Sequence, residues 1–154
     1  MSQPASINPR IIEALYCEAL LLSDEVRAAF DMADRADDAA PDEDMVRIAW
    51  SCEALRTTTR MMHAIAWLLN HRAYFKGELT EFQLRRHGRL AADRPGSDPD
   101  HLAMLSSDTR ELIGATERFY ARIVRLDREW RVRDPLAPSA IAGLRARLER
   151  RVAG

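Results

Sequence analysis

Residues 45–76 read MVRIAWSCEALRTTTRMMHAIAWLLNHRAYFK, and they carry the longest helical pattern in the chain. Apolar or small residues recur in this stretch at alternating steps of three and four, which is the spacing of one face of an α-helix. We call these positions the heptad seam: Met45, Ile48, Cys52, Leu55, Thr59, Met62, Ala66, Leu69 and Ala73. The pattern predicts that the heptad seam packs inside a helical bundle and that Gly77 ends the helix.

The same helix carries a second apolar stripe on its other side. We call it the opposite stripe: Trp50, Ala54, Met61, Ala64, Trp67, Leu68 and Phe75. A helix that is apolar on two sides must be covered on both. Either residues 80–92 or 139–152 of the same chain, or a second subunit, could cover this stripe, and spacing alone favours neither. The opposite stripe is therefore the candidate dimer or partner interface.

Helical spacing also governs most of the remaining sequence. Asn8-Pro9 is a typical helix start, and three-four apolar patterns follow it at 12–33 and occur again at 102–130. Thr80 and Gln83 form a capping box for a shorter helix that runs to about Ala92. The start of the third long helix stays open, because the serines and aspartate at 106–108 could cap it late. The predicted fold is all-α, an antiparallel three-helix bundle with a short extra helix.

Pro135 and Pro138 interrupt the pattern and divide the chain into a bundle domain, 1–133, and an arm, 134–154, which we expect to be flexible. The arm carries a short apolar stripe flanked by arginines, a composition suited to folding on a partner's groove. Its candidate partner-binding residues are Ile141, Leu144, Arg145 and Leu148.

Composition is typical of one globular domain. The chain has 154 residues, 47% of them hydrophobic, and 23 basic residues against 24 acidic ones. A whole-protein nucleic-acid binder would usually be more basic. The longest apolar run is too short to span a membrane, and the first residues lack the pattern of a secretory signal. We therefore expect a cytoplasmic protein in which Cys17 and Cys52 are reduced.

No residue pattern points to catalysis. The four histidines match no zinc spacing, and the sequence contains no nucleotide-binding or nucleophile motif. We expect no enzymatic activity, no cofactor and no metal. The most distinctive polar residues are Glu53, Arg56 and Arg60, which surround three consecutive threonines. They form either a structural ion pair or a polar partner-binding face, and the spacing favours the structural interpretation.

Residues 52–73 and the following Gly77-Glu78 resemble the regulator of CtrA degradation (RcdA) family, above all in the block Glu53-Ala54-Leu55-Arg56-Thr57-Thr58-Thr59-Arg60. Weaker similarity extends to 15–30 and 112–127. The resemblance implies a helical-bundle homodimer without enzymatic activity that serves as an adaptor for the ClpXP protease. Such an adaptor works with a second adaptor, delivers substrates such as a CtrA-like response regulator, and can be recruited to a cell pole.

A DNA-associated regulatory or structural helical dimer is the alternative hypothesis. It is motivated by seven arginines along the third long helix and its exit: Arg110, Arg118, Arg122, Arg125, Arg128, Arg131 and Arg133. Acidic residues are interspersed among them, which is more typical of a solvated face than of a phosphate-binding surface.

Overall fold

The structure is a computed structural model, and it describes residues 7–33, 43–90, 96–132 and 140–152. The helices are α1 (Pro9–Ala33), α2 (Glu43–Phe75), α3 (Glu81–His87), α4 (Pro99–Ala103), α5 (Ser107–Val132) and α6 (Ala140–Val152). The described ranges contain no strand. Helices α1, α2 and α5 pack against one another, which confirms the all-α fold with three main helices and short additional ones.

Three helix ends lie where the capping residues in the sequence predict them. The Asn8 side chain accepts a hydrogen bond from the Ile11 amide at 3.0 Å and caps α1. Thr80 and Gln83 form the capping box of α3. Gly77 ends α2 with a φ of 79°, and the Glu78 amide bonds the Ala73 carbonyl at 2.9 Å. A left-handed residue at this position favours glycine, since it has no Cβ.

One helix boundary differs from the prediction, and the structure decides another that the sequence left open. Helix α3 ends at His87 rather than near Ala92, and the Gly88 amide bonds the Leu84 carbonyl at 2.8 Å. The third long helix starts late, because a separate short helix, α4, precedes it. Ser106 caps α5 through its hydroxyl, which accepts a hydrogen bond from the Thr109 amide.

Side-chain contacts between the long helices show how the helices run relative to one another. Helix α1 is antiparallel to α2, since Arg72 binds Glu13 at one end and Trp50 contacts Phe30 at the other. Helices α2 and α5 are parallel, because their contacts advance together: Arg60 with Thr116, then Trp67 with Asp127. The described residues of the connection, 76–90 and 96–106, therefore run back from the end of α2 to the start of α5. The antiparallel prediction holds for α1 against the other two helices and is wrong for α2 against α5.

The core lies where the three long helices meet. Helices α1 and α5 bury the faces that their patterns predict, with Ile12, Leu15 and Ala19 on α1 and Phe119 and Ile123 on α5. Helix α2 contributes the residues of its other side, and these are Met61, Ala64, Trp67 and Leu68.

The two faces of α2 are thus exchanged relative to the prediction. The heptad seam is on the outside, with exposed fractions of 61% for Met45, 56% for Ile48, 70% for Leu55, 65% for Met62 and 45% for Leu69. Met61, Ala64, Trp67 and Leu68 are at most 3% exposed within the single chain. The large aromatic rings lie on the opposite stripe and bury more area than the small Cys52, Thr59 and Ala66 of the seam.

The opposite stripe is therefore corrected from candidate interface to intramolecular core. Trp50 and Ala54 are half-buried, and Phe75 packs against the core from its edge. Helices α1 and α5 cover this stripe, so neither a second subunit nor the arm is required to shield it.

Candidate interaction surfaces

A buried carboxylate organises one end of the bundle. The Glu53 side chain is fully buried on α2. Its Oε1 accepts hydrogen bonds from Arg56 Nη1 at 2.6 Å and from the Asp98 amide at 3.1 Å, and His101 Nδ1 lies 3.3 Å away. Oε2 has no partner among the described residues. Glu53 therefore fastens the start of α4 to α2.

Arg60 connects α2 to α5 two turns further along the helix than Glu53. It is 6% exposed, and its Nη1 donates to Thr116 Oγ1 at 3.0 Å. Its Nη2 lies 3.6 Å from Glu117 Oε1, which also accepts a hydrogen bond from Ser97. The side chains of Glu53 and Arg60 have almost no surface for a partner, so both are placed as structural residues. Arg56 keeps 35% of its side chain exposed.

Thr57 is the member of the threonine run that faces the interior. It is fully buried, and its hydroxyl has no partner in the described part of the chain. The sequence placed Thr59 in the core instead, because Thr59 belongs to the heptad seam; Thr59 is half-buried in the structure. Exchanging the two faces of α2 accounts for this difference.

His71 lies in the core between two tryptophans. It is fully buried, its ring centroid is 4.0 Å from that of Trp67, and it meets Trp130 edge-on at 5.3 Å. Neither ring nitrogen has a partner among the described residues. Burial, and secondarily the positive charge of Arg131, lowers the pKa of His71 to about 4. The burial of His71 depends on its contact with Trp130, which is distant in the sequence, so periodicity alone could not predict it.

Charged side chains contact the Trp67 and Trp130 rings that surround His71. Asp127 accepts hydrogen bonds from Trp67 Nε1 at 3.0 Å and from Arg131 Nε. The Arg85 guanidinium lies over the Trp130 ring at 4.4 Å and attaches α3 to the end of α5. These contacts satisfy the buried Trp67 indole and Asp127 carboxylate and position the helices.

The described residues hold no group of three or more histidine, cysteine or acidic side chains that could bind a metal ion. Within the same ranges, no helix has the length and hydropathy of a membrane span.

The surface best suited to binding another protein is the exposed heptad seam of α2. Large apolar side chains line it from Met45 to Leu69, and contiguous exposed apolar patches are typical of interaction sites. Met62 also borders a groove of about 320 Å³ between α1 and α2, whose other apolar walls include Phe30 and Ile65. The sequence identified the residues of this surface but assigned them to the core.

The arm supplies a second exposed surface. Helix α6 lies within residues 134–154, and Arg145, Arg147, Arg150 and Arg151 are all exposed on it. Leu148 is 60% exposed and Val152 is 86% exposed. The side chains of Ile141 and Leu144 lie outside the described residues. The assignment of Arg145 and Leu148 to a partner-binding arm stays a prediction.

Arg56→Ala is expected to lower the free energy of unfolding by about 1–3 kcal/mol, because it leaves the buried Glu53 carboxylate without its cation. Arg27→Ala is the matched control, since Arg27 forms the same kind of pair with Asp24, three residues away, but with both side chains more than 70% exposed. The control should change stability by less than about 0.5 kcal/mol. Equal effects in urea denaturation would contradict a structural role for Glu53–Arg56.

Comparison with known proteins gives one match. A family model described as "Protein of unknown function (DUF1465)" matches residues 3–152. No curated protein and no solved structure shows significant similarity to the chain.

Proposed function

This chain belongs to the DUF1465 family, and from the resemblance of residues 52–73 to the RcdA family we propose that it is a non-enzymatic adaptor of regulated proteolysis. In this proposal a cytoplasmic homodimer, recruited to a cell pole, works with a second adaptor. It delivers substrates such as a CtrA-like response regulator to the ClpXP protease. Tethering a substrate raises its local concentration at the protease without any new chemistry.

The exposed heptad seam is the observation that most supports this function. An adaptor needs surfaces that bind other proteins, and the apolar side chains of the seam stand outside a core that is already complete. The RcdA-like block divides between the two sides of α2. Glu53, Thr57 and Arg60 point inward, whereas Leu55 and Thr58 are exposed and available to a partner. The block can therefore maintain the fold and present a binding surface at once.

The function is tested by reconstituting degradation with purified components. Adding this chain to ClpXP, ATP, the second adaptor and a CtrA-like response regulator should shorten the half-life of the substrate several-fold, because tethering acts through effective concentration. Deleting residues 134–154 should reduce this acceleration while preserving the helical circular dichroism of the bundle. An unchanged substrate half-life in the presence of the intact, folded chain would refute the adaptor function.

A DNA-associated helical dimer is the second candidate. The observation behind it is the exposed row of Arg118, Arg125 and Arg128 on α5. Arg122 already binds Glu18 at 2.8 Å, and Arg131 binds Asp127 at 3.0 Å, so part of the positive charge is neutralised within the chain. An electrophoretic mobility shift at low salt tests this candidate, since phosphate contacts are strongest there.

A further inference from the structure

The outer face of α2 has the composition of a coiled-coil seam without a partner helix. From residue 45 to residue 69 it extends about 36 Å at the rise of an α-helix. The large residues Ile48, Leu55, Met62 and Leu69 stand at every seventh position. They are 45–70% exposed, although such a repeat normally packs against another helix.

From this face we infer that two copies of the chain pair through their heptad seams, with the two α2 helices antiparallel about a twofold axis midway between Leu55 and Thr59. The inference rests on the homodimer of the proposed function, and it specifies the face, the orientation and the register of that dimer. It also replaces the opposite stripe, which the bundle itself buries, as the surface through which the copies meet.

Side-chain sizes favour the antiparallel register. It places Ile48 against Ala66 of the second copy, Leu55 against Thr59, and Met62 against Cys52, so that a large residue meets a small one in each of these layers. The outermost layer at each end pairs Leu69 with Met45. Interdigitation of large and small side chains fills the space between facing helices. A parallel pair would instead set Cys52 against Cys52, Thr59 against Thr59 and Ala66 against Ala66, which leaves the layers of small residues poorly filled.

Charge at the two ends of the seam favours the same orientation. Asp44 and Arg72 occupy equivalent flanking positions of the heptad, and antiparallel pairing brings each Asp44 beside Arg72 of the second copy. Arg72 already binds Glu13 at 2.6 Å, so Asp44 would join an existing ion pair. Asp44 is exposed, and in a parallel pair it would lie near Ala49 of the second copy rather than near Arg72. The antiparallel form therefore pairs Asp44 with a cation, which favours that orientation.

Light scattering on the 154-residue chain tests whether the heptad seam is the dimer interface. The wild type should have twice the 17.5 kDa mass of one chain. Leu55→Glu places a charge in the seam and should weaken dimerisation by about 100-fold or more, giving monomers. Leu21→Glu on α1 is the matched control, because Leu21 is 67% exposed and lies outside the seam; it should stay dimeric. A monomeric wild type, or a folded dimer of Leu55→Glu, would overturn the proposal.

Disulfide trapping tests the orientation, in a Cys17→Ser background so that Cys52 is the only native thiol. Antiparallel pairing sets residue 62 against Cys52 of the second copy, so Met62→Cys should give a disulfide-linked dimer on mild oxidation. Without Met62→Cys, the two Cys52 residues are separated by about 15 Å along the helix axis and should not link. A Cys52–Cys52 disulfide would show parallel pairing and refute the antiparallel register, as would a failure of the Met62→Cys dimer to link.

These measurements separate the dimer from the proteolytic function. If the linked dimer forms but the degradation assay shows no acceleration, the pairing stands and the adaptor function fails. If acceleration occurs with a monomeric wild type, the adaptor function stands and the pairing fails.

Discussion

Met61→Ala is expected to lower the free energy of unfolding by about 2–5 kcal/mol, whereas Met62→Ala should change it by less than about 0.5 kcal/mol. The two methionines are adjacent in sequence, but Met61 is 3% exposed and Met62 is 65% exposed. Truncating Met61 removes buried contacts and leaves a cavity among the three long helices. Truncating Met62 removes side-chain atoms that already contact water in the single chain.

Urea denaturation measures both effects. Both variants should also carry Leu55→Glu, so that pairing of two chains does not contribute to the stability of the Met62 variant. Leu68→Ala and Leu69→Ala provide an independent matched pair, since Leu68 is fully buried and Leu69 is 45% exposed. Larger losses for Met62→Ala and Leu69→Ala than for their partners would contradict this assignment and place the heptad seam in the core.

Acidification is expected to destabilise the protein through His71. Its pKa is lowered to about 4 in the folded chain, against an ordinary value of 6.5 in the unfolded chain. Between these values the unfolded state binds more protons than the folded state. The contribution of His71 to stability is therefore complete above pH 6.5 and is lost as the pH falls towards 4. The expected loss is about 3 kcal/mol.

Replacing His71 separates its contribution to the pH dependence of unfolding from the contributions of other titratable groups. His71→Leu should flatten the pH dependence of unfolding between 6.5 and 4 by about that amount, relative to wild type. It should also raise stability near pH 7, because the variant no longer buries two ring nitrogens without partners. His87→Leu is the control, since His87 is exposed at the end of α3. If wild type and His71→Leu lose stability in parallel on acidification, His71 does not titrate in this way.

Local chemistry explains why so much of the secondary structure could be predicted. A helix start depends on nearby groups, such as the Asn8 side chain and the amide three residues later, so it can be recognised from sequence alone. The same is true of Gly77, whose positive φ suits glycine. Helices α1 and α5 each carry one apolar stripe, and the sequence therefore identified their buried faces correctly.

The candidate site was harder to predict because its residues meet only in the folded chain. Glu53 and Arg56 are three residues apart, and their pairing could be anticipated. Nothing near them in sequence shows that Asp98 and His101 bind the same carboxylate, about 45 residues later. The burial of His71 likewise depends on Trp130, which α5 brings to it.

The sequence by itself determined that the chain is helical, where its long helices lie, and which residues of α2 share a face. Periodicity reports the angular position of each side chain around its own helix axis, so these features follow from it. The tertiary structure alone decided which face of α2 is inside and that α2 runs parallel to α5. Both faces of α2 are apolar at helical spacing, and the choice between them depends on how well each fills the space left by α1 and α5. The bundle buries the face with Trp67, Met61 and Leu68 and leaves the heptad seam exposed, because close packing of the larger rings excludes more apolar surface from water.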